Sequence, residues 1–246
     1  MKIIIAPAKK MVVDTDNFDY EQLPQYLDKS KLILKEMRKL TYKEAKKLWK
    51  CSDKLAEANF QWLQELEISN HLTPALLAFS GIQYQYMAPD LFTEPALAYV
   101  KNNLRILSGF YGILRPFDGV VPYRLEMQSN LKVSGNNLYD FWNSQIYQAL
   151  GGMEDIVNLT SKEYAKTIIP FLAPDQKFVT IVFGSIVDGK LKTKATLAKM
   201  ARGEMVRFMA ENQITKIEDI KHFSHPDWEY SPERSTKEQI VFVFQE

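Results

Sequence analysis

One cysteine, three histidines and no long apolar run set the first limits on this 246-residue chain. A lone Cys51 excludes an internal disulfide and fits a reducing compartment. Flanked by lysines in LWKCSDKL, it reads as a structural helix residue rather than a reactive thiol. So few soft and imidazole ligands exclude a Cys/His metal cluster, and His222, His225 and Asp227 in HFSHPDW have the spacing of a loop, not of a metal motif. No stretch approaches the roughly 18 apolar residues of a membrane-crossing helix, and the short apolar run in MKIIIAPAKK is too brief for a signal peptide. The expected protein is cytoplasmic, without a membrane partner, bound metal or cofactor.

A surplus of charge is missing too. There are 31 basic and 30 acidic residues, a net of +1. A protein that grips phosphate backbones over its whole surface is more basic, so any nucleic-acid surface must be a local patch. No Gly/Ser- or Pro-rich linker, repeat or low-complexity tract divides the chain, so residues 1–246 are expected to form a single domain, and a monomer. Apolar content of 46% and charged content of 25% are ordinary for a globular protein with a sizeable core.

What is present alternates strand-like and helical pieces. Lys2 to Ala6 is a short β-branched run stopped by Pro7, as in a buried first strand, and it hands over to Lys9 and Lys10. At the end of such a strand those lysines are either ligand contacts or a solvated pair. Ser30 to Leu66 has helical periodicity broken into two or three helices by a capping box at Thr41–Glu44 and a cap at Ser52. Leu76 to Phe79 reads as a strand. Asn137 to Leu150 reads as a helix, and Ile156 to Leu159 as a strand entering a capping box at Thr160–Glu163. Lys162 in that turn is a candidate anion contact, although capping alone explains the pattern. KFVTIVFGSIV, the Asp188-Gly189 turn and LKTKA read as a β-hairpin.

Residues 195–211 form the last long helix, with Leu197, Ala201, Met205 and Phe208 on one stripe and Lys199, Arg202 and Arg207 expected on the opposite face. From Ile186 to Met209 there are six basic residues (Lys190, Lys192, Lys194, Lys199, Arg202, Arg207) against two acidic (Asp188, Glu204), a local net of +4. The chain closes with a strand at Ile240 to Phe244. The fold class expected is α+β, a mixed sheet packed by helices without a regular βαβ beat.

The stretch LRILSGFYGILRPFDGVVPYRLEM, residues 104–127, is unlike its surroundings. Gly109 and Gly112 permit a sharp turn or close approach, and Pro116 and Pro122 disfavour helix beyond it. Arg115, Asp118, Arg124 and Glu126 alternate with Phe117, Val120, Val121 and Tyr123. Such a loop either holds a site or simply pairs its own charges and buries its aromatics.

Together with IAPAKK, NLYDFWN, IVNLTSKEY and ATLAKMARGEMVRF, this central motif resembles the peroxide stress protein YaaA family, in the family's order and over nearly the whole chain. The resemblance implies a bacterial protein that helps cells survive hydrogen peroxide by limiting unincorporated iron. It also implies DNA binding through a basic cleft, and a helix-hairpin-helix-like element on an unusual mixed fold. Its basic positions match Lys9, Arg115, Arg124, Lys199 and Arg202. The chain departs from the family pattern at Ile82, where an acidic residue is expected after the glycine.

Three functions follow. The first is DNA binding, with phosphates met by Arg115, Arg124, Lys192, Lys194, Lys199 and Arg202, Lys9, Lys10 and Lys162 nearby, and the Gly109 and Gly112 amides close to the backbone. The second is an enzyme acting on a phosphate-bearing small molecule or nucleotide, with Arg115 and Arg124 as clamps, Asp118 or Glu126 as base and Tyr123 beside them. Buried arginines and carboxylates in one cleft would favour this second reading. Direct iron sequestration is the third, for which hard-oxygen or imidazole ligands do not cluster.

Overall fold

The computed structural model describes residues 1–14 and 18–245. At its centre is β1 (Lys2–Ile5), whose three isoleucines have no exposed surface. A strand covered on both faces shows no alternation, and a β-branched run suits it. Three helices follow: α1 (Leu27–Arg38), α2 (Tyr42–Trp49) and α3 (Asp53–Glu65). The Thr41 capping box forms, with the Thr41 N–H donating to Glu44 Oε2 at 2.8 Å and the Glu44 N–H donating to Thr41 Oγ1. Ser52 stands at the N-cap of α3 without a side-chain cap bond.

Next come β2 (Thr73–Pro74), α4 (Ala75–Ala78), α5 (Ile82–Met87) and α6 (Glu94–Asn103). The strand expected at Leu76–Phe79 is therefore a helical turn, with only Phe79 bridging Met11. A short apolar run fits either state. Here the free N–H groups of Ala75 and Leu76 are taken by the carbonyls of Asp118 and Pro116 at 2.9 and 2.8 Å, which ties the turn to the central stretch.

That stretch forms β3 (Leu104–Ser108), turns back into β4 (Gly112–Leu114) and reaches β5 (Gly119–Val120), which pairs with β2; residues 121–126 form no helix. Gly109 thus lies in the turn between two strands and Gly112 opens the second, and no helix-hairpin-helix forms on them. Gly112 has φ +75°, and a Cβ there would sit 2.8 Å from the Trp142 ring. Trp142 Nε1 donates to the Gly109 carbonyl at 3.0 Å and closes the turn.

The remaining elements are α7 (Leu138–Trp142), α8 (Gln145–Gln148), β6 (Ile156–Leu159), α9 (Lys162–Ala165), β7 (Phe178–Val187), β8 (Lys190–Lys192), α10 (Ala195–Glu211), β9 (Trp228–Tyr230) and β10 (Gln239–Phe244). The single helix expected over 137–150 breaks at Asn143, whose φ of 46° and ψ of −137° are not helical. The β7–β8 hairpin turns on Asp188 and Gly189, both with positive φ, as a two-residue turn matched to strand twist requires.

Among the described residues the main sheet has the order β4-β3-β1-β6-β7-β10-β9, with β8 added to β7. β3, β1, β6, β7 and β10 are mutually parallel, while β4, β8 and β9 pair antiparallel, so the sheet is mixed and helices pack around it. β1 connects onward to β3 on one side and β6 to β7 on the other. The space beyond the carboxyl ends of β1 and β6 is a topological switch point, where open α/β sheets leave a crevice.

Over this point α10 lies against α5 with no side chain between them at Gly203. A Cβ there would overlap the Gln83 carbonyl oxygen and come within 2.8 Å of the Met87 nitrogen. The buried side of α10 is accordingly wider than the expected stripe and takes in Ala198, Gly203, Val206, Met209 and Ala210 besides Ala201 and Met205.

Candidate anion-binding crevice

Five segments meet at the switch point and enclose a cavity of about 500 Å³, within the usual span of small-molecule sites. Residues 6–10 leave β1, and the Tyr84 hydroxyl donates to the Ala6 carbonyl at 3.0 Å. Gly81 lets α5 come down on that loop, since a Cβ there would lie 2.8 Å from Ala8 Cβ. Opposite runs Tyr123 to Gln128, fixed at one end by the Tyr123 hydroxyl and Ser108 Oγ at 2.7 Å. Gly109 supports it from behind, with room for no Cβ against the Leu125 carbonyl at 2.8 Å. Ser161 to Tyr164 leave β6, and Lys199 and Arg202, three apart on α10, reach the cavity from one helix face.

The wall carries five basic side chains (Lys9, Lys10, Arg124, Lys199, Arg202) and two carboxylates (Glu126, Glu163), so its balance is +3 inside a protein of net +1. Lys9 Nζ is on Glu126 Oε1 at 2.6 Å. Among the described residues the other four cations make no ion pair with a carboxylate. Arg124 donates from one terminal nitrogen to the Trp49 carbonyl at 3.4 Å. Its Nε, the Nε of Arg202 and the Nε2 of Gln83 are buried without a hydrogen-bond partner. Each such group costs about 1–3 kcal/mol while unmet, and the three residues that carry them all line this cavity. Burial lowers the Arg202 pKa, yet a guanidinium stays charged in proteins.

Glu163 was expected in a capping box. Instead Ser161 is the N-cap of α9, Thr160 Oγ1 donates to Asn158 Oδ1 at 2.7 Å, and Glu163 Oε1 turns inward to accept the Gln128 N–H at 3.1 Å. Burial raises its pKa, and repulsion from Glu126 adds to this, while the Gln128 and Met127 amides and Lys9 oppose it. Glu163 therefore holds its proton to higher pH than an ordinary carboxyl group. Sulfate, which does not titrate near neutrality, is expected to bind this crevice roughly ten-fold more weakly once Glu163 ionises, because a negative charge then faces the anion. Calorimetric titration across pH should show that fall, and Glu163→Gln should abolish it and bind more tightly at neutral pH. An unchanged pH slope in the variant would assign the proton elsewhere.

The structure divides the residues singled out in the sequence. Lys9, Lys10, Arg124, Lys199 and Arg202 line the crevice. Arg202 was expected with Arg207 on the outer side of α10; its side chain instead points inward, while Arg207 pairs with Glu211 at 2.8 Å. Arg115 is outside the lining. Its Nε donates to Asp118 Oδ1 at 2.9 Å, its N–H to Oδ2 at 2.9 Å, and a terminal nitrogen to the Leu23 carbonyl at 3.1 Å. Lys192 sits 3.5 Å from Asp188, and Lys194 is the exposed N-cap of α10. Lys162 is exposed beside Ser161 and Glu163. Gly109 and Gly112 are buried and shape the loop rather than offer amides to a ligand. Gln83 and Gln128 join the wall without any sequence signal, and Glu163, whose sequence signal was a capping box, joins it as well; only their fold neighbours bring them there.

A family profile described as peroxide stress protein YaaA matches residues 1–234. The chain is 60% identical to a UPF0246 protein of Lactiplantibacillus plantarum over the full length of both. It is 56% identical to one of Pediococcus pentosaceus, covering 99% of this chain and 98% of that one. With a UPF0246 protein of Limosilactobacillus reuteri it shares 53% identity over 98% of each. Among the described residues, no helix is long and apolar enough to cross a membrane.

Proposed function

The chain belongs to the peroxide stress protein YaaA family, and on that premise we propose that it serves the peroxide response by docking DNA across the mouth of the β1–β6 crevice. The observation that carries this reading is the +3 balance of the crevice wall in a protein whose net charge is only +1. Lys10 and Lys199 are exposed there, and Arg124 and Arg202 lie below them. Lys9 joins once a phosphate competes with Glu126. Exposed Lys162 beside the crevice, and Lys192 and Lys194 ahead of α10, are outer contacts for a longer duplex. Arg115 leaves the set because Asp118 holds it. The iron-limiting role that the resemblance implies is, in this reading, downstream of DNA binding: among the described residues no three His, Cys, Asp or Glu side chains gather as ligands.

The test is anisotropy of a duplex lacking terminal phosphates, titrated at several salt concentrations. On a duplex short enough to meet only Lys10, Arg124, Lys199 and Arg202, the expected slope of log K against log salt is about −3.6, from −0.9 for each phosphate met, and it steepens on a longer duplex. The double variant Arg124→Ala, Arg202→Ala should lose affinity on the order of a hundred-fold, two charge-assisted hydrogen-bonding groups being removed. A flat salt response, or an unaffected double variant, would take DNA away from this face.

A further inference from the structure

Duplex docking uses the exposed lysines at the mouth and the charge of Arg124 and Arg202 below them. It does not account for the polar hydrogens that remain: the Nε–H groups of Arg124 and Arg202 and one amide group of Gln83 are buried and unpartnered, and all three residues line a single cavity. Guanidinium forks are built for oxyanions that present several acceptors in one plane. Beside the lysines, the two carboxylates and the polar Ser80, Gln128 and Ser161, the wall has an apolar part made by Ala6, Pro7, Ala8, Ile82 and Leu125, which suits an uncharged body attached to that oxyanion.

We propose that the interior of the crevice is a pocket for a phosphate monoester, its head group between Arg124, Arg202 and Gln83 and its body against Pro7, Ile82 and Leu125. A monoester carries about −1.5 to −2 at neutral pH, against −1 for an internal diester of a strand, and so answers the +3 balance of the wall more fully. The monoester has two sources, a free nucleotide or the phosphorylated end of a strand, and both present the same chemistry. The pocket shares Arg124 and Arg202 with duplex docking, so the two readings are told apart by the ligand bound rather than by the arginine variants.

Calorimetry of the full chain with deoxyadenosine 5′-monophosphate, its methyl diester and deoxyadenosine separates the possibilities. The monophosphate is expected to bind about ten-fold or more tightly than either comparison compound, and Arg202→Ala or Arg124→Ala should cost a further ten-fold each. Should an alanine variant melt early, Arg202→Lys keeps the charge, removes the fork of donors and must still weaken the monophosphate about five-fold. A single-stranded oligonucleotide bound more tightly with a 5′-phosphate than with a 5′-hydroxyl identifies a strand end as the source. Preference for the free monophosphate alone identifies a nucleotide. Equal affinity for monoester and diester, no binding of either, or binding indifferent to both arginines overturns the pocket. Duplex without terminal phosphates serves as the control for the mouth: its loss with monophosphate binding retained removes only the docking reading.

Discussion

Gly203→Ala is expected to destabilise the protein by about 2–3 kcal/mol, although the same change in an exposed helix interior would stabilise it by about 1 kcal/mol. Two effects of opposite sign meet at this residue. Alanine restricts the unfolded backbone and favours α10 locally. Its Cβ, however, would overlap the Gln83 carbonyl oxygen and crowd the Met87 nitrogen. Both are backbone atoms of α5 and cannot swing aside as the tip of a side chain can, so the overpacking outweighs the propensity gain. Relief requires α5 to move off α10, which carries Gln83 and Tyr84 out of the crevice wall. Urea unfolding should show the midpoint falling, and monophosphate affinity should fall with it. A stabilised variant would mean that the two helices are not in backbone contact.

The second large effect separates two arginines of one loop. Arg115→Ala should cost about 2–3 kcal/mol of stability while leaving anion binding at the crevice within about two-fold of the parent. Asp118 has a side chain only 1% exposed, and removing its partner strands a buried carboxylate. Loss of one member of a buried pair typically costs about 3–5 kcal/mol; the figure is reduced here because Arg115 itself is 37% exposed and water reaches it. For a chain of this length the melting temperature should drop by roughly 4–12 °C.

Burial already raises the Asp118 pKa, with Arg115 opposing that rise. Without Arg115 the native state holds the Asp118 proton to still higher pH than the unfolded chain does. That stability is present at low pH and lost as pH rises through the native pKa, so the deficit of the variant should be smaller near pH 5 than near pH 8. The double change Arg115→Ala, Asp118→Ala should recover part of the loss, because no carboxylate is then left unpaired. Arg124→Ala is expected to behave oppositely, with little change in melting and a large change in binding.

Much of the fold was legible because its signals act between near neighbours. The isoleucine run of β1 announces a strand covered on both faces, Asp188-Gly189 fixes a hairpin, and Thr41 with Glu44 caps a helix within four residues. The order of motifs was enough to point to the family. Short apolar runs were not legible: ALLA became a helical turn because carbonyls of Asp118 and Pro116, some forty residues onward, took its amides. Nor was the difference between Arg115 and Arg124, identical in type and nine positions apart in one loop.

By itself, then, the sequence determined the element types with strong local chemistry, the family and the presence of a basic set within a neutral protein. Tertiary structure alone decided which members of that set face a cavity and which are tied to a carboxylate. It also decided that Glu163 leaves an expected capping box to face the cavity and that Arg202 turns inward. The reason is physical: turns and caps depend on bonds spanning a few residues, whereas desolvation and charge pairing depend on what the sheet order brings alongside, and here β1 and β6, some 150 positions apart, are neighbours.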